Sequence, residues 1–403
     1  MRFANKVQQL ENTLSPFVAI WNQEPIHQFP NHLDSYPEEW VDFLLNSDES
    51  TQLKISKRQV PASIKSLKRL MQEIEALCHF GPAPRGELEK IDPHAWMGVK
   101  GKKQHEIQRL LEFLAKEKPK RILDICGGQG NFAYLTSRHL GIEVESLDFD
   151  PELQQMGLQK NKKLVQQGRP PIRFRHGDLQ SDLNNLPRVF KEHQTSIGLH
   201  TCGPLAVNHI ELAKSAEQKQ FLNLGCCYHR LQKSPKNMAT ESRLVAIMSH
   251  FALTLATRGH INITEADFQM KKRVKNYRYA FHLLLNQQLG IEEFISLGNT
   301  PPRVYRQDFQ SYCEYQLKNL GPKFSQLKRV QLNSFYDSPS TQKIIGEVFA
   351  ATLIRFLMGR GLECLILTDR CLRLENKGYD VDMFAFFEEK ISPRNLGIWA
   401  NRQ

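Results

Sequence analysis

Two spacings of apolar residues divide the chain. Up to about residue 95 they recur at helical intervals, in KVQQLENTLSPFVAIW (6–21) and SIKSLKRLMQEIEALCHF (63–80). Between these, NQEPIHQFPNHLDSYPEEW (22–40) carries three prolines and is predicted to be irregular, with Pro37 opening a helix at EEWVDFLLN. From residue 101 short apolar runs alternate with amphipathic stretches. GKKQHEIQRLLEFLAKEK predicts a helix with Ile107, Leu110, Leu111 and Leu114 inward. Five strands follow, RILDIC, EVESLD, IRFRHGD, SIGLH and FLNLGCC, with helices from about Asn131 and over roughly 152–167. Strands separated by helices specify a parallel sheet covered on both faces.

Beyond the fifth strand, TESRLVAIMSHFALTLAT (240–257) predicts one long helix and TQKIIGEVFAATLIRFLM (341–358) another. DMFAFFEEKISPRNLGIWA (382–400) reads as two strands around a Ser-Pro turn. Four segments are therefore expected. Residues 1–95 form a helical N-terminal region, and 96–258 a Rossmann-like cofactor-binding core. Residues 259–340 are a basic and aromatic insertion, and 341–403 supply helices and the last strands completing the sheet. The expected class is α/β, with a mostly parallel sheet and an antiparallel C-terminal strand.

The chemistry concentrates at the ends of the first three strands. Asp124 precedes a turn containing Cys126, Gly127, Gly128 and Gly130, which leads into a helix. Such a turn lets a ligand approach bare backbone and meet a helix N-terminus. A dinucleotide fingerprint would read G-x-G-x-x-G; here an acid comes first, the pattern that serves S-adenosylmethionine. Asp148 ends the second strand, where a carboxylate accepts hydrogen bonds from ribose hydroxyls. Asp178 ends the third, near the expected place of an adenine amino group. His200, at the end of the fourth strand, completes the cofactor-binding set. Cys126 stands where the first glycine is usual, which predicts a local change in the turn.

These blocks resemble a known group. K-K-Q-H-E (Lys102 to Glu106), D-I-C-G-G-Q-G (Asp124 to Gly130), L-H-T-C-G (Leu199 to Gly203), G-C-C-Y-H (Gly225 to His229) and S-P-R-N-L (Ser392 to Leu396) are similar to those of a methyltransferase-like family. That family includes the ribosomal RNA adenine dimethylase domain-containing protein. The L-H-T-C-G and C-C-Y-H blocks also resemble, more distantly, the tRNA 2′-O-methyltransferases of the acceptor stem. The resemblance implies a class I methyltransferase fold and S-adenosylmethionine as cofactor.

In a doubly wound sheet the ligand crevice lies outside the carboxyl ends of the strands. This places His200, Thr201 and Cys202 near the transferred methyl group, with Cys226, Cys227, Tyr228 and His229 as neighbours. His200 is the candidate base, since neutral imidazole accepts a proton near pH 7. Cys202 is a candidate nucleophile, and Tyr228 a candidate for stacking on the acceptor. Lys103, His105 and Glu106 are placed to cover the cofactor. A metal site from Cys202, Cys226, Cys227 and His229 is conceivable, but adjacent cysteines suit a tetrahedral ion poorly and no C-x-x-C pair is present. No metal is expected.

Charge bears on the acceptor. Lys and Arg number 54 against 43 Asp and Glu, a net charge of +11, which favours a polyanionic partner. In MKKRVKNYRYAFH (270–282), Lys271, Lys272, Arg273, Lys275 and Arg278 stand beside Tyr277 and Tyr279. Cations neutralise phosphates and rings stack on unpaired bases. PPRVYR and GPKFSQLKRV add charge, and Arg394 is a further substrate candidate. RNA is thus the expected partner. Protein or small-molecule methylation, and a non-catalytic RNA-binding module, are the alternatives. No apolar run is long enough to span a membrane, the first residues lack a signal-peptide core, and eight cysteines are too few for a disulfide scaffold. The expected compartment is the cytoplasm, with no membrane partner.

Overall fold

The computed structural model describes residues 2–233, 241–258, 264–295, 297–320, 327 and 331–402. The basic stretch 321–330 therefore lies outside the described residues except for Leu327. The chain divides into two compact units. One contains Met1–Ser15, Ile74–Gly259 and Arg360–Gln403; the other contains Pro16–Glu73 and His260–Gly359. This division crosses the four segments drawn from the sequence, because the middle of the N-terminal region groups with the insertion.

The first unit is built on seven strands: β1 (Arg121–Ile125), β2 (Glu143–Asp148), β3 (Arg173–His176), β4 (Thr195–Cys202), β5 (Gln220–Cys226), β6 (Asp380–Ala385) and β7 (Leu396–Asn401). Their order is β3-β2-β1-β4-β5-β7-β6. β7 runs antiparallel to both its neighbours, and the other pairings are parallel. This is the mostly parallel α/β sheet that the strand-helix alternation requires. The order reverses between β1 and β4, so the crevice for a ligand opens at their carboxyl ends.

Helix α1 (Gly101–Glu117) buries Ile107, Leu110, Leu111, Phe113 and Leu114 on one stripe. The Phe113 ring meets Phe386 and Trp399 edge-on, with centroids 5.0 and 5.1 Å away. The helix that precedes the first strand is thereby fastened to the last. α2 (Asn131–Leu140) follows β1. The single helix expected over 152–167 is two, α3 (Pro151–Leu158) and α4 (Asn161–Gln166). The break has a cause: the Asn161 side chain donates to the Ile172 carbonyl and accepts from its N–H, both at 2.8 Å. Asn161 thus spends its amide on the backbone just before β3.

α5 (Pro204–Ser215) joins β4 to β5. The stretch 241–257 is likewise broken, into Arg243–Ala246 and His250–Thr257. Ser249 caps the second piece by accepting from the Ala252 N–H. α6 (Gly359–Glu375) precedes β6. Among the described residues no helix is long and apolar enough to cross a membrane.

The second unit contains the long helices Glu265–Leu289 and Pro339–Leu357. Its core is aromatic: Tyr277 packs against Phe309, Tyr312 and Tyr336 with centroids 5.2–5.4 Å apart.

Truncating Phe113 to alanine should destabilise the sheet unit by about 3–5 kcal/mol, through lost transfer energy and the cavity left beside Trp399. Urea unfolding followed by tryptophan fluorescence measures it. A cost below about 1 kcal/mol would show that α1 is not held through this ring.

Candidate functional site

The turn after β1 is shaped for close approach. Cys126 adopts φ +57°, the left-handed conformation natural to glycine, which costs a non-glycine residue about 1–2 kcal/mol. The expected local change is therefore not a different turn but the same turn held under strain. A Cβ on Gly127 would lie 2.2 Å from Ser146 Oγ and 2.3 Å from Asp124 Oδ2, so no larger residue fits there. Gly128 donates its N–H to Asp148 Oδ2 at 2.8 Å, and Asp148 Oδ1 accepts from the Asp150 N–H at 3.0 Å.

Asp124 is buried, and its Oδ2 has no hydrogen-bond partner among the described residues, nor does Ser146 Oγ. Burial pushes the Asp124 carboxyl up to about 7, with Lys103 opposing the shift and Asp148 adding to it. The Lys103 charge also reaches Lys160, whose amine burial pulls down to about 8. Asp178 is engaged locally, accepting from the Gln180 N–H at 2.9 Å and the Ser181 hydroxyl at 3.0 Å. Burial raises the Cys126 thiol to about 12, helped by the charges of Asp148, Asp124, Cys202 and Asp178. The ends of β1, β2, β3 and β4 thus converge around one point.

Three of the strand ends carry the same strain. Besides Cys126, His200 has φ +60° and Cys227 φ +55°. At His200 the β4–β5 register slips between Leu199 and Thr201, a bulge that re-aims the side chain. The imidazole Nε2 lies 2.7 Å from Glu106 Oε2. Glu106 is buried, and its Oε1 accepts from the Ser392 hydroxyl at 2.7 Å. Lys102 Nζ is 3.6 Å away. Burial alone would raise the Glu106 carboxyl; the His200 hydrogen bond and charge, the Ser392 hydroxyl and Lys102 together hold it below the usual range. In the sequence Glu106 stands out only as part of a cover, and Ser392 only as part of a turn. Their signal lay in the K-K-Q-H-E, L-H-T-C-G and S-P-R-N-L blocks, which meet here.

The remaining candidates separate. Tyr228 is 1% exposed, and its hydroxyl donates to Gly225 O and Glu363 Oε1, both at 3.3 Å. It packs inside and cannot stack on an acceptor. Arg360 Nη1 meets Glu363 Oε2 at 2.6 Å and its Nη2 donates to Asn395 Oδ1 at 2.8 Å, tying β5 to the Ser392 turn. Arg394 donates to the Thr257 carbonyl at 2.9 Å. His105 packs edge-on against Phe387 and receives the Glu388 N–H at 3.2 Å. Lys103 stays exposed beside Asp124. Burial, then the charges of Arg230, His250, Arg258 and Arg394, lowers His229, marking a positive field at the end of β5.

Lys271, Arg273 and Tyr277 belong to the second unit. Tyr277 and Tyr279 are buried; Tyr277 donates to the Gln307 carbonyl at 2.9 Å and Tyr279 bonds Thr352. Neither ring is available to a base. Lys272 pairs with Glu49, Lys275 with Glu24, and Arg278 donates to the Tyr305 hydroxyl. Arg273 is exposed, with its guanidinium over the Tyr277 ring. The rings of the basic-aromatic pattern are packed inside their unit, whereas Lys271 and Arg273 are exposed.

Residues 102–234 match the family model described as Methyltransferase domain. This stretch is similar to a methyltransferase domain. Among curated relatives, human probable methyltransferase-like protein 25 is 25% identical over 205 residues, 45% of this chain and 32% of its own length. The mouse protein of that name is 25% identical over 51% of this chain and 36% of its own. The 23S rRNA (uracil(1939)-C(5))-methyltransferase RlmD of Shewanella sp. (strain ANA-3) is 28% identical over 34% and 28%. The chain thus spans about a third of the length of the curated relatives it matches. S-adenosylmethionine is the cofactor of such a domain, and the cradle fits it. The turn excludes a Cβ at Gly127, and unpartnered Asp124 Oδ2 is an acceptor for an ammonium group. Asp148 and Asp178 stand at neighbouring strand ends.

Because the folded Asp124 carboxyl titrates at about 7 and an unfolded one near 3.9, the native state alone holds this proton between those values. The Asp124 contribution to stability therefore falls as pH rises through that window, by up to about 1.4 kcal/mol per pH unit. The stability of Asp124→Asn relative to wild type should rise between about pH 4 and 7 in urea unfolding. Parallel curves would show that Asp124 ionises normally.

Proposed function

We propose that this chain is an S-adenosylmethionine-dependent methyltransferase acting on RNA, with His200 as the group that takes the acceptor's proton. The observation that carries this reading is the 2.7 Å pair between His200 and buried Glu106 beside the glycine turn. When bound, the cofactor supplies an electrophilic methyl carbon. The protein's own work is alignment and proton removal. Glu106 holds Nε2–H of the imidazole and leaves Nδ1 to accept a proton. Once His200 is protonated, the carboxylate stabilises the cation, and Ser392 keeps that carboxylate in place. An acceptor hydroxyl, such as that of a ribose, is what such a pair serves.

Asp124, the Gly127–Gly128 backbone, Asp148 and Asp178 are the groups that would hold the cofactor, with Lys103 at its edge. RNA as acceptor is supported by the net charge of +11, by the positive field of Arg230, Arg258 and Arg394 around His229, and by the resemblance to methyltransferase families acting on RNA. The name of the Shewanella relative, an rRNA methyltransferase, points the same way.

Calorimetric titration of S-adenosylmethionine into wild type, Asp148→Ala and His200→Ala tests the assignment, together with tritiated-methyl transfer to total cellular RNA. Asp148→Ala should lose binding. His200→Ala should transfer methyl about 10²- to 10⁴-fold more slowly even at saturating cofactor. No binding by wild type would overturn the enzyme reading, and label entering protein or metabolites instead of RNA would overturn the acceptor.

A further inference from the structure

Cys202, Cys226 and Cys227 form a cluster that the proposed methyl transfer, with His200 as base, does not use. Cys202 and Cys226 are register partners on the parallel strands β4 and β5, so both side chains project from the same face. Successive residues of a strand point to opposite faces, and Cys227 would ordinarily turn away. Its left-handed backbone, φ +55°, removes that alternation and brings its sulfur round to the other two. The Cys202 and Cys226 sulfurs are 3.2 Å apart, and those of Cys226 and Cys227 3.7 Å. All three lie within 4.8 Å of one another.

We infer that these three sulfurs are a binding site for a thiophilic d¹⁰ ion, zinc, with a fourth coordination position left open. Tetrahedral zinc with bonds of about 2.3 Å separates its thiolates by roughly 3.8 Å, close to the spacings present. A disulfide needs two sulfurs about 2.05 Å apart and would leave the strained third cysteine without a purpose. The objection that adjacent cysteines cannot share one ion holds for extended backbone and fails for the left-handed Cys227. Three thiols lose their protons as the ion binds. The resulting site, one unit negative, is offset by Arg230 near Cys202 and Arg394 near Cys227. Cys202 and Cys227 are only partly buried, so the open position is accessible to water or to a donor atom of a substrate, the arrangement of reactive rather than purely structural zinc.

The test uses the full chain purified with reductant and without chelator. Elemental analysis should find about one zinc per chain, and Co²⁺ in its place should give thiolate-to-metal charge-transfer bands with tetrahedral d–d absorption. Cys202→Ser and Cys227→Ser should each abolish both signals while circular dichroism and thermal unfolding of the metal-free proteins report an intact fold. Cys78→Ser, a buried thiol elsewhere in the same unit, should keep them. A wild-type protein without zinc and without Co²⁺ charge transfer would overturn the site. So would signals that survive in both serine variants, or a Cys202–Cys226 disulfide in intact protein never exposed to oxidant.

Discussion

The buried carboxylate of Glu106 is the constraint on which the sheet unit turns. An ionised group taken out of water is tolerated only when paired and hydrogen-bonded. Its partners come from distant parts of the chain, His200 at the end of β4 and Ser392 in the turn before β7. None of these contacts forms until α1 lies across the sheet and the C-terminal strands have been added to it. The charge therefore makes the Glu106–His200 pair conditional on the completed fold. It also explains why a turn near the C-terminus carries polar residues that would be costly to bury alone.

Strain is distributed in the same place. Cys126, His200 and Cys227 end β1, β4 and β5 in left-handed backbone, each at about 1–2 kcal/mol. Packing beneath them meets that cost: Ile125, Ile197 and Leu222 are buried to 0% exposure in the strands below. The effect is to turn side chains out of the pleat alternation and toward one crevice. A relaxed strand end would send alternate residues into the flanking helices instead.

The proposal of an RNA acceptor does not rest on the insertion's aromatic rings. Tyr277 and Tyr279 are core, and several of the insertion's lysines and arginines answer acids or hydroxyls within their own unit. Long cationic side chains lie along apolar surface as readily as they face a polyanion, so charge beside aromatics has two physical meanings. Near the strand ends burial, then the charges of Arg230, His250, Arg258 and Arg394, lowers His229, so a positive field lies beside the proposed site.

Periodicity and spacing alone determined the α/β class, the five parallel strands, the glycine turn and the acids at its neighbours' ends. These are local consequences of period-two and period-3.6 patterns and of turn chemistry, which any short window contains. Helix breaks at Asn161 and Ser249, the burial of Tyr228 and Tyr277, and the joining of Glu106 to His200 and Ser392 were decided only by tertiary structure. Each depends on a partner far away in the chain, and a single sequence records which residues can pair without recording which do. The same holds for the three sulfurs of β4 and β5: adjacency argued against their meeting, and one backbone angle reversed it.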